Sequence, residues 1–242
     1  MTNKFTCDSE TGVCRIPAIE PATHAPSTCQ QGVEIAYIGD PLCSWCWAVS
    51  PVVAALQGWC TEQNLRFTII AGGLRPGGGD PWNDEFKAFL RHHWEEIGKV
   101  SGQPFSFNLF ERAHFNYDSL PPCRAVVVAR DLLAERDDNN LTLQKFFAAV
   151  QKRFYAQNDD PGKIDFYREP CAQNGIDFVA FSTDFNAPKS AEKARADFRL
   201  NRSWGINGFP GFALIKGDQA QILASGYVDL PTLTARIKQL LY

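Results

Sequence analysis

The chain has 242 residues, 45% of them apolar and 21% charged, enough for one large soluble globule whose core needs no disulfide to stand. A formal net charge of -3 offers no basic field for nucleic acid or anionic lipid. No apolar run approaches the roughly 18–20 residues that span a bilayer, and the opening MTNKFTCDSE lacks a stretch of signal-peptide length; a cytoplasmic monomer without membrane or nucleic-acid partners is expected.

Residues 1–31 are polar, carry Pro17, Pro21 and Pro26, and show little periodicity, so they read as an irregular arm. VEIAYIG (33–39) has the size and composition of a buried strand. PVVAALQGWC (51–60) follows with helical spacing through Val53, Leu56 and Cys60, and RFTIIAGG (66–73) is a second strand closed by glycines. From about 80 to 204 the pattern is helical. Phe86, Phe89, Leu90, Trp94 and Ile97 share one face, and CRAVVVARDLLAE (123–135) is apolar nearly all round, as a buried helix would be. Phe146, Phe147, Val150 and Phe154 form another stripe. Residues 187–204 turn Ala191, Ala194 and Phe198 inward and leave their cations as a solvated face. Strands return at GFALIKG (211–217) and AQILASG (220–226), which read as a hairpin, and an amphipathic helix with Leu233, Ile237, Leu240 and Leu241 on one side ends the chain. The order β-α-β, helical block, β-β-α implies one α/β sheet interrupted by a large all-helical insertion. Its parts are an arm over 1–31, a discontinuous sheet domain over 32–75 and 205–242, and an insertion over 76–204.

Between the first strand and helix stands DPLCSWCW (40–47). Cysteines at i and i+3 on a helix lie about 5–6 Å apart at Cβ, close to the spacing a disulfide accepts. A helix N-terminus carries partial positive charge and free N–H groups, both of which favour a thiolate. Cys43 is therefore expected to be the accessible, low-pKa attacking thiol and Cys46, one turn deeper, the resolving one. Pro51 removes a helical bond to Trp47 and predicts a kink. Trp45 is expected as an apolar rim and Trp47 as a core anchor. Half of a zinc site is the competing reading of a lone CxxC. Yet Cys7 and Cys14 have six residues between them, and His24, His92, His93 and His114 show no paired-ligand spacing. No metal and no cofactor beyond the cysteine pair is expected.

With GGL at 72–74 and INGFPGFAL at 206–214, DPLCSWCW resembles the DsbA-like group of the thioredoxin superfamily, and within it the FrnE-like predicted disulfide isomerases. The resemblance covers roughly residues 33–242. It implies a thioredoxin-like fold with a helical insertion, a cis-proline at Pro210 facing the cysteines, and a backbone at Phe209 that hydrogen-bonds an extended substrate, with Trp45 beside it. It implies thiol-disulfide oxidoreductase activity of reductase or isomerase type on protein or small disulfides, with glutathione as an electron donor. Two positions depart from the pattern. DsbA has a histidine between its cysteines where this chain has Ser44 and Trp45, which implies a weaker oxidant. Many relatives keep a buried acid where this chain has Tyr37; Asp40 stands either as its substitute or as a cap on the helix start.

Cys7 and Cys14 read either as an accessory redox pair, relay or switch, or as two exposed thiols on an arm. Cys60, Cys123 and Cys171 read as small core residues, and Cys29 stays unassigned. AGGLRPGGGD (71–80) lacks the Lys-Ser/Thr of a phosphate loop and suits a tight exit from the strand, with Arg75 offering a cation to a substrate carboxylate. His92 and His93 should divide into one exposed and one half-buried ring. Two other functions fit the same fold. One is a glutathione-dependent isomerase or transferase, against which the retained Cys43 argues, since those relatives use serine there. The other is a non-enzymatic redox sensor or thiol-switched binding protein.

Overall fold

In the computed structural model the described residues are 6–16 and 32–241. Two three-residue strands come first, β1 (Thr6–Asp8) and β2 (Val13–Arg15), paired antiparallel and stapled by a Cys7–Cys14 disulfide. This corrects the expectation of an irregular arm over 1–31 for the part that is described. Strands so short cannot display a period of two, and the turn is set by Asp8, whose carboxylate accepts from the Glu10 amide at 2.9 Å and Thr11 Oγ1 at 2.7 Å. Pro17, Pro21, Pro26, His24 and Cys29 lie outside the described residues.

β3 (Val33–Gly39) leads into α1 (Ser44–Ala48), α2 (Ser50–Glu62) and β4 (Arg66–Ala71). The helix breaks at Val49, and Pro51 falls in the first turn of α2, as its missing N–H requires. The break relieves the Trp47 carbonyl of its helical partner. Gln103 Nε2 donates to that carbonyl at 3.0 Å and to Ser50 Oγ at 2.7 Å.

Helices then fill the chain: α3 (Asp84–Ser101), α4 (Leu120–Leu132), α5 (Leu141–Tyr155), α6 (Arg168–Gln173), α7 (Phe178–Asn186) and α8 (Pro188–Ser203). Asn83 caps α3 by accepting from the Phe86 amide, and Gly102, at φ 71°, ends it. Strands β5 (Gly208–Phe209), β6 (Gly211–Lys216) and β7 (Gln219–Ser225) and helix α9 (Leu230–Leu241) complete the fold.

The main sheet has the order β4-β3-β6-β7, with β3 and β4 parallel and the other pairs antiparallel. The last five residues of β3 are buried without alternation, as a central strand covered on both faces must be. The free backbone edge of strand β4 finds side-chain partners. Asn139 Oδ1 accepts from Phe67 N at 2.8 Å, Asn140 Nδ2 donates to Phe67 O at 2.7 Å, and Arg130 donates to Ile69 O at 3.1 Å. At its end, Asp197 accepts from Ala71 N at 2.9 Å and Asn201 donates to Ala71 O at 2.7 Å. Polar side chains of α4, α8 and the turn before α5 thus satisfy the edge that a further strand would otherwise seek.

One continuous apolar cluster runs from Ile35 and Phe67 in the sheet to Trp94, Phe146 and Phe181 in the helices. α4 buries Ala125 through Ala129, and α5 buries Phe146, Phe147, Val150 and Phe154, as their patterns predict. Phe89 and Leu240 depart from expectation at 38% and 40% exposed. α8 buries Ala194 and Phe198, leaves Ala191 half-exposed, and also buries Asp197, which composition alone assigns to the polar face.

Candidate active site

Cys43 is the N-cap residue of α1 (φ −90°, ψ 117°), and its own N–H donates to Asp40 O at 3.0 Å. Its Sγ donates to the Phe209 carbonyl at 3.6 Å. The Phe209–Pro210 peptide bond is cis. Cys46 lies one turn into α1 beside Cys43, and both are thiols with no exposed surface. The sequence pairs 43–46 and 209–210, 166 positions apart at the closest contact, therefore meet at one point, where β3 hands over to α1 and β5 hands over to β6.

The expectation of an accessible, low-pKa Cys43 is corrected. Burial, and next the hydrogen-bonded Cys46 thiol, push the Cys43 thiol well above its ordinary range. The physical reason is that α1 is one short turn and a half, interrupted at Val49, so the positive end of its dipole is small against the loss of hydration. Trp45 is likewise no open rim. It is 3% exposed, with its ring 5.7 Å from that of Tyr227. Trp47 anchors the core as expected, stacked on Tyr155 at 6.3 Å with Nε1 donating to Pro104 O at 3.1 Å.

Asp40 is fully buried and ties two loops together. Oδ1 accepts from Leu42 N at 2.8 Å, while Oδ2 accepts from Leu74 N at 2.6 Å and from Cys123 Sγ at 3.4 Å. Burial raises its pKa against the pull of those donors. Tyr37 stands below Cys46 with its hydroxyl buried and no nitrogen or oxygen partner among the described residues; burial, then Cys46, push that hydroxyl far up. Two glycines make these approaches feasible. A β carbon at Gly39 would stand 2.4 Å from the Tyr37 ring, and one at Gly72 would stand 2.9 Å from the ring of Phe209. Gly72, from the glycine-rich exit of β4, thus seats the residue that faces Cys43.

Arg75 is not available to a substrate carboxylate. It is 6% exposed, ion-paired with Asp80, and donates to Tyr117 O at 3.2 Å. Cys60, Cys123 and Cys171 are fully buried core residues, as read from the sequence. His92 is exposed and His93 mostly buried. Among the described residues no group of three or more His, Cys, Asp or Glu is arranged to hold a metal, and no described helix is long and apolar enough to cross a membrane. An open cleft lined by Trp82, His114, Phe115 and Asp160 lies on the helical side and includes neither cysteine of the pair.

No protein-family model matches the chain. Among solved structures it is similar to a protein disulfide isomerase candidate from Nitrosomonas europaea, with a TM-score of 0.77 and 28% identity over 87% of this chain and 98% of that one. It is also similar to the cytosolic disulfide reductase DsbM from Pseudomonas aeruginosa, with a TM-score of 0.66 and 28% identity over 86% and 98% of the two chains. Its fold is that of the DsbA-like proteins of the thioredoxin superfamily. Its curated relatives include the ClpXP adapter protein SpxH of Halalkalibacterium halodurans, 22% identical over 93% of this chain and 72% of the relative. The fold shared by DsbA-like proteins, a thioredoxin-like sheet with a helical insertion, is the one that the sequence implied.

Sequence reasoning missed β5, which has two residues, and the pairing of β2 on it. It also missed Asp197 and Asn201, whose signal was present: two polar residues, four apart, on the same side of α8 as Ala194 and Phe198.

Proposed function

We propose that the chain is a thiol-disulfide oxidoreductase of reductase type, acting through Cys43 and Cys46. The observation that carries this reading is Cys43 Sγ at 3.6 Å from the carbonyl of Phe209, the residue joined by a cis bond to Pro210, with Cys46 one turn away. The likeness to DsbM supports the same chemistry.

Cys43, as thiolate, attacks a sulfur of the substrate disulfide, and the other sulfur leaves as a thiolate. An extended substrate takes the place of β2 along Phe209 and Pro210, beside Trp45 once Tyr227 has moved off it, where backbone hydrogen bonds hold its sulfur over Cys43. Cys46 then attacks Cys43 Sγ, releasing the reduced substrate and closing a Cys43–Cys46 disulfide. The Tyr37 hydroxyl, next to Cys46, donates to the Cys46 thiolate as it forms. Two molecules of glutathione return the pair to thiols; a solved structure of DsbM with GSH supports that donor. Ser44 and Trp45 add no cation between the cysteines, which favours reduction over oxidation of substrates. A cytosolic setting, that of DsbM, suits a reductase. Substrates are disulfide-bearing proteins or small disulfides, met by a monomer.

Insulin reduction with glutathione tests the reading. Turnover by the wild-type chain that disappears in Cys43→Ser is expected; turnover that survives Cys43→Ser overturns it. A second reading has an observation of its own. The curated relatives are adapter proteins, and a Cys43 without exposed surface suits a binding protein whose thiols are switched by redox state. On that reading insulin reduction is absent from the wild type as well.

A further inference from the structure

A second cysteine pair sits on the hairpin that adjoins β5. β2 runs antiparallel to β5 with Cys14 in register with Phe209 and Arg15 with Gly208, and the Ile16 amide donates to Asn207 O at 3.1 Å. Phe209 is also the residue whose carbonyl accepts from Cys43 Sγ at 3.6 Å. The seat is close-fitting. A β carbon at Gly208 would stand 2.7 Å from Val13 Cγ2, and the hairpin turn is held from its other side by the Tyr227 amide, which donates to Gly12 O at 3.1 Å. Cys14 and Cys43 are each 0% exposed and belong to one apolar cluster, while Cys7 is half-buried.

We propose that the Cys7–Cys14 disulfide is an internal substrate of the Cys43/Cys46 pair: an accessory redox site docked on β5 in the manner of a disulfide peptide. This rests on the thiol-disulfide reading given above and adds the site's first partner, a disulfide of its own chain. The Cys43 thiolate attacks Cys14 Sγ and a Cys43–Cys14 bond forms. The Cys14–Cys7 bond breaks, and its electron pair leaves on Cys7, which takes up a proton from water. The Cys46 thiolate then attacks Cys43 Sγ, the Cys43–Cys14 bond breaks, and Cys14 leaves as a thiolate and is protonated. In sum, two electrons pass from Cys43 and Cys46 to Cys7 and Cys14, and the two protons given up by the first pair are matched by two taken up by the second. Attack falls on Cys14 because the register puts it opposite Phe209, and because the half-exposed Cys7 is the thiolate that water can hydrate as it leaves. Burial of Cys43 slows this attack without barring it, since both partners are carried by one chain.

The same step loosens the hairpin. Two three-residue strands are marginal on their own, so breaking the Cys7–Cys14 staple leaves β2 held on β5 by its backbone pairing and by the Ile16 and Tyr227 amides alone.

The test uses the full chain carrying Cys46→Ser, which halts exchange at the mixed disulfide. The protein, oxidised at Cys7–Cys14, is incubated without alkylating agent, quenched in acid, denatured, its free thiols then capped with a maleimide, and digested without reductant for mapping by mass spectrometry. A peptide containing Cys43 joined to one containing Cys14, with capped Cys7 and first-order kinetics unchanged by protein concentration, is the expected result. An intact Cys7–Cys14 bond in a variant whose Cys43 still captures oxidised glutathione overturns the internal substrate and leaves the oxidoreductase reading standing. A Cys43 that captures neither overturns both. The unmutated chain gives an independent measurement should the variant misfold. Fully reduced, given one equivalent of oxidised glutathione and quenched in acid at intervals, it should hold its disulfide at both positions, in a ratio reached at a rate independent of protein concentration. A disulfide that stays where it first forms overturns the exchange.

Discussion

The Phe209 carbonyl accepts from Cys43 Sγ at 3.6 Å, and the ring of the same phenylalanine rests on Gly72, where a β carbon would come within 2.9 Å of it. The position of the carbonyl therefore depends on a glycine at the end of β4. Gly72→Ala must push the Phe209 ring, and with it the backbone opposite Cys43. A loss of roughly 1–3 kcal/mol is expected from overpacking, read by urea denaturation, together with a fall in disulfide-reducing turnover. A variant as stable and as active as the wild type would show that Phe209 need not be seated there.

Tyr37 should separate folding from chemistry. Its hydroxyl is buried with no nitrogen or oxygen partner among the described residues, so Tyr37→Phe should change stability by under about 1 kcal/mol, toward greater stability. If the hydroxyl supports the Cys46 thiolate, the same variant should accumulate a Cys43–glutathione mixed disulfide, detectable by intact-mass spectrometry. Unchanged resolution would remove Tyr37 from the proposed mechanism.

Asp40 should make stability depend on pH. Its folded pKa is raised from the ordinary 3.8 chiefly by burial. A raised pKa means that the folded state holds the proton more tightly, so this contribution to stability is full below 3.8 and is lost as pH rises through the folded pKa. Asp40→Asn places an amide where one oxygen accepts from Leu42 N or Leu74 N, costing roughly 1–3 kcal/mol in acid. The gap between wild type and variant should narrow as pH rises from 4 to 8; a gap that widens refutes the assignment.

The Arg130–Asp197 pair fastens α4 and α8 to the end of β4. Arg130 donates to Asp197 at 2.8 and 3.0 Å, and Asp197 also accepts from Ala71 N. Asp197→Ala strands the cation and the amide together. Breaking a fully buried pair costs roughly 3–5 kcal/mol, and because the Arg130 side chain is 28% exposed the expected loss is lower, about 2–3 kcal/mol. Thermal unfolding measures it, and a shift near zero would count against the pair.

Strands β3, β4, β6 and β7 were legible because each is a compact apolar run bounded by glycine or charge, and α4 and α5 because their apolar residues recur on a helical period. The meeting of Cys43 with Pro210 was legible only through the resemblance, since no local pattern ties positions so distant. The closure of the site was not legible. It depends on two strands of three residues and one of two, too short for any periodicity, and on Tyr227 lying over Trp45, a contact between segments far apart in the chain. Exposure is a property of the assembled surface, and a helix-mouth cysteine reads as open until whatever covers it is in place.

Pro51 carries a consequence for mechanics. By withholding one amide it turns the oxygen of Trp47 outward, and the side chain of Gln103 occupies it, so the turn bearing both sulfurs is latched to the segment that follows α3. Restoring the amide with alanine would set the neighbouring helix in competition for the latch.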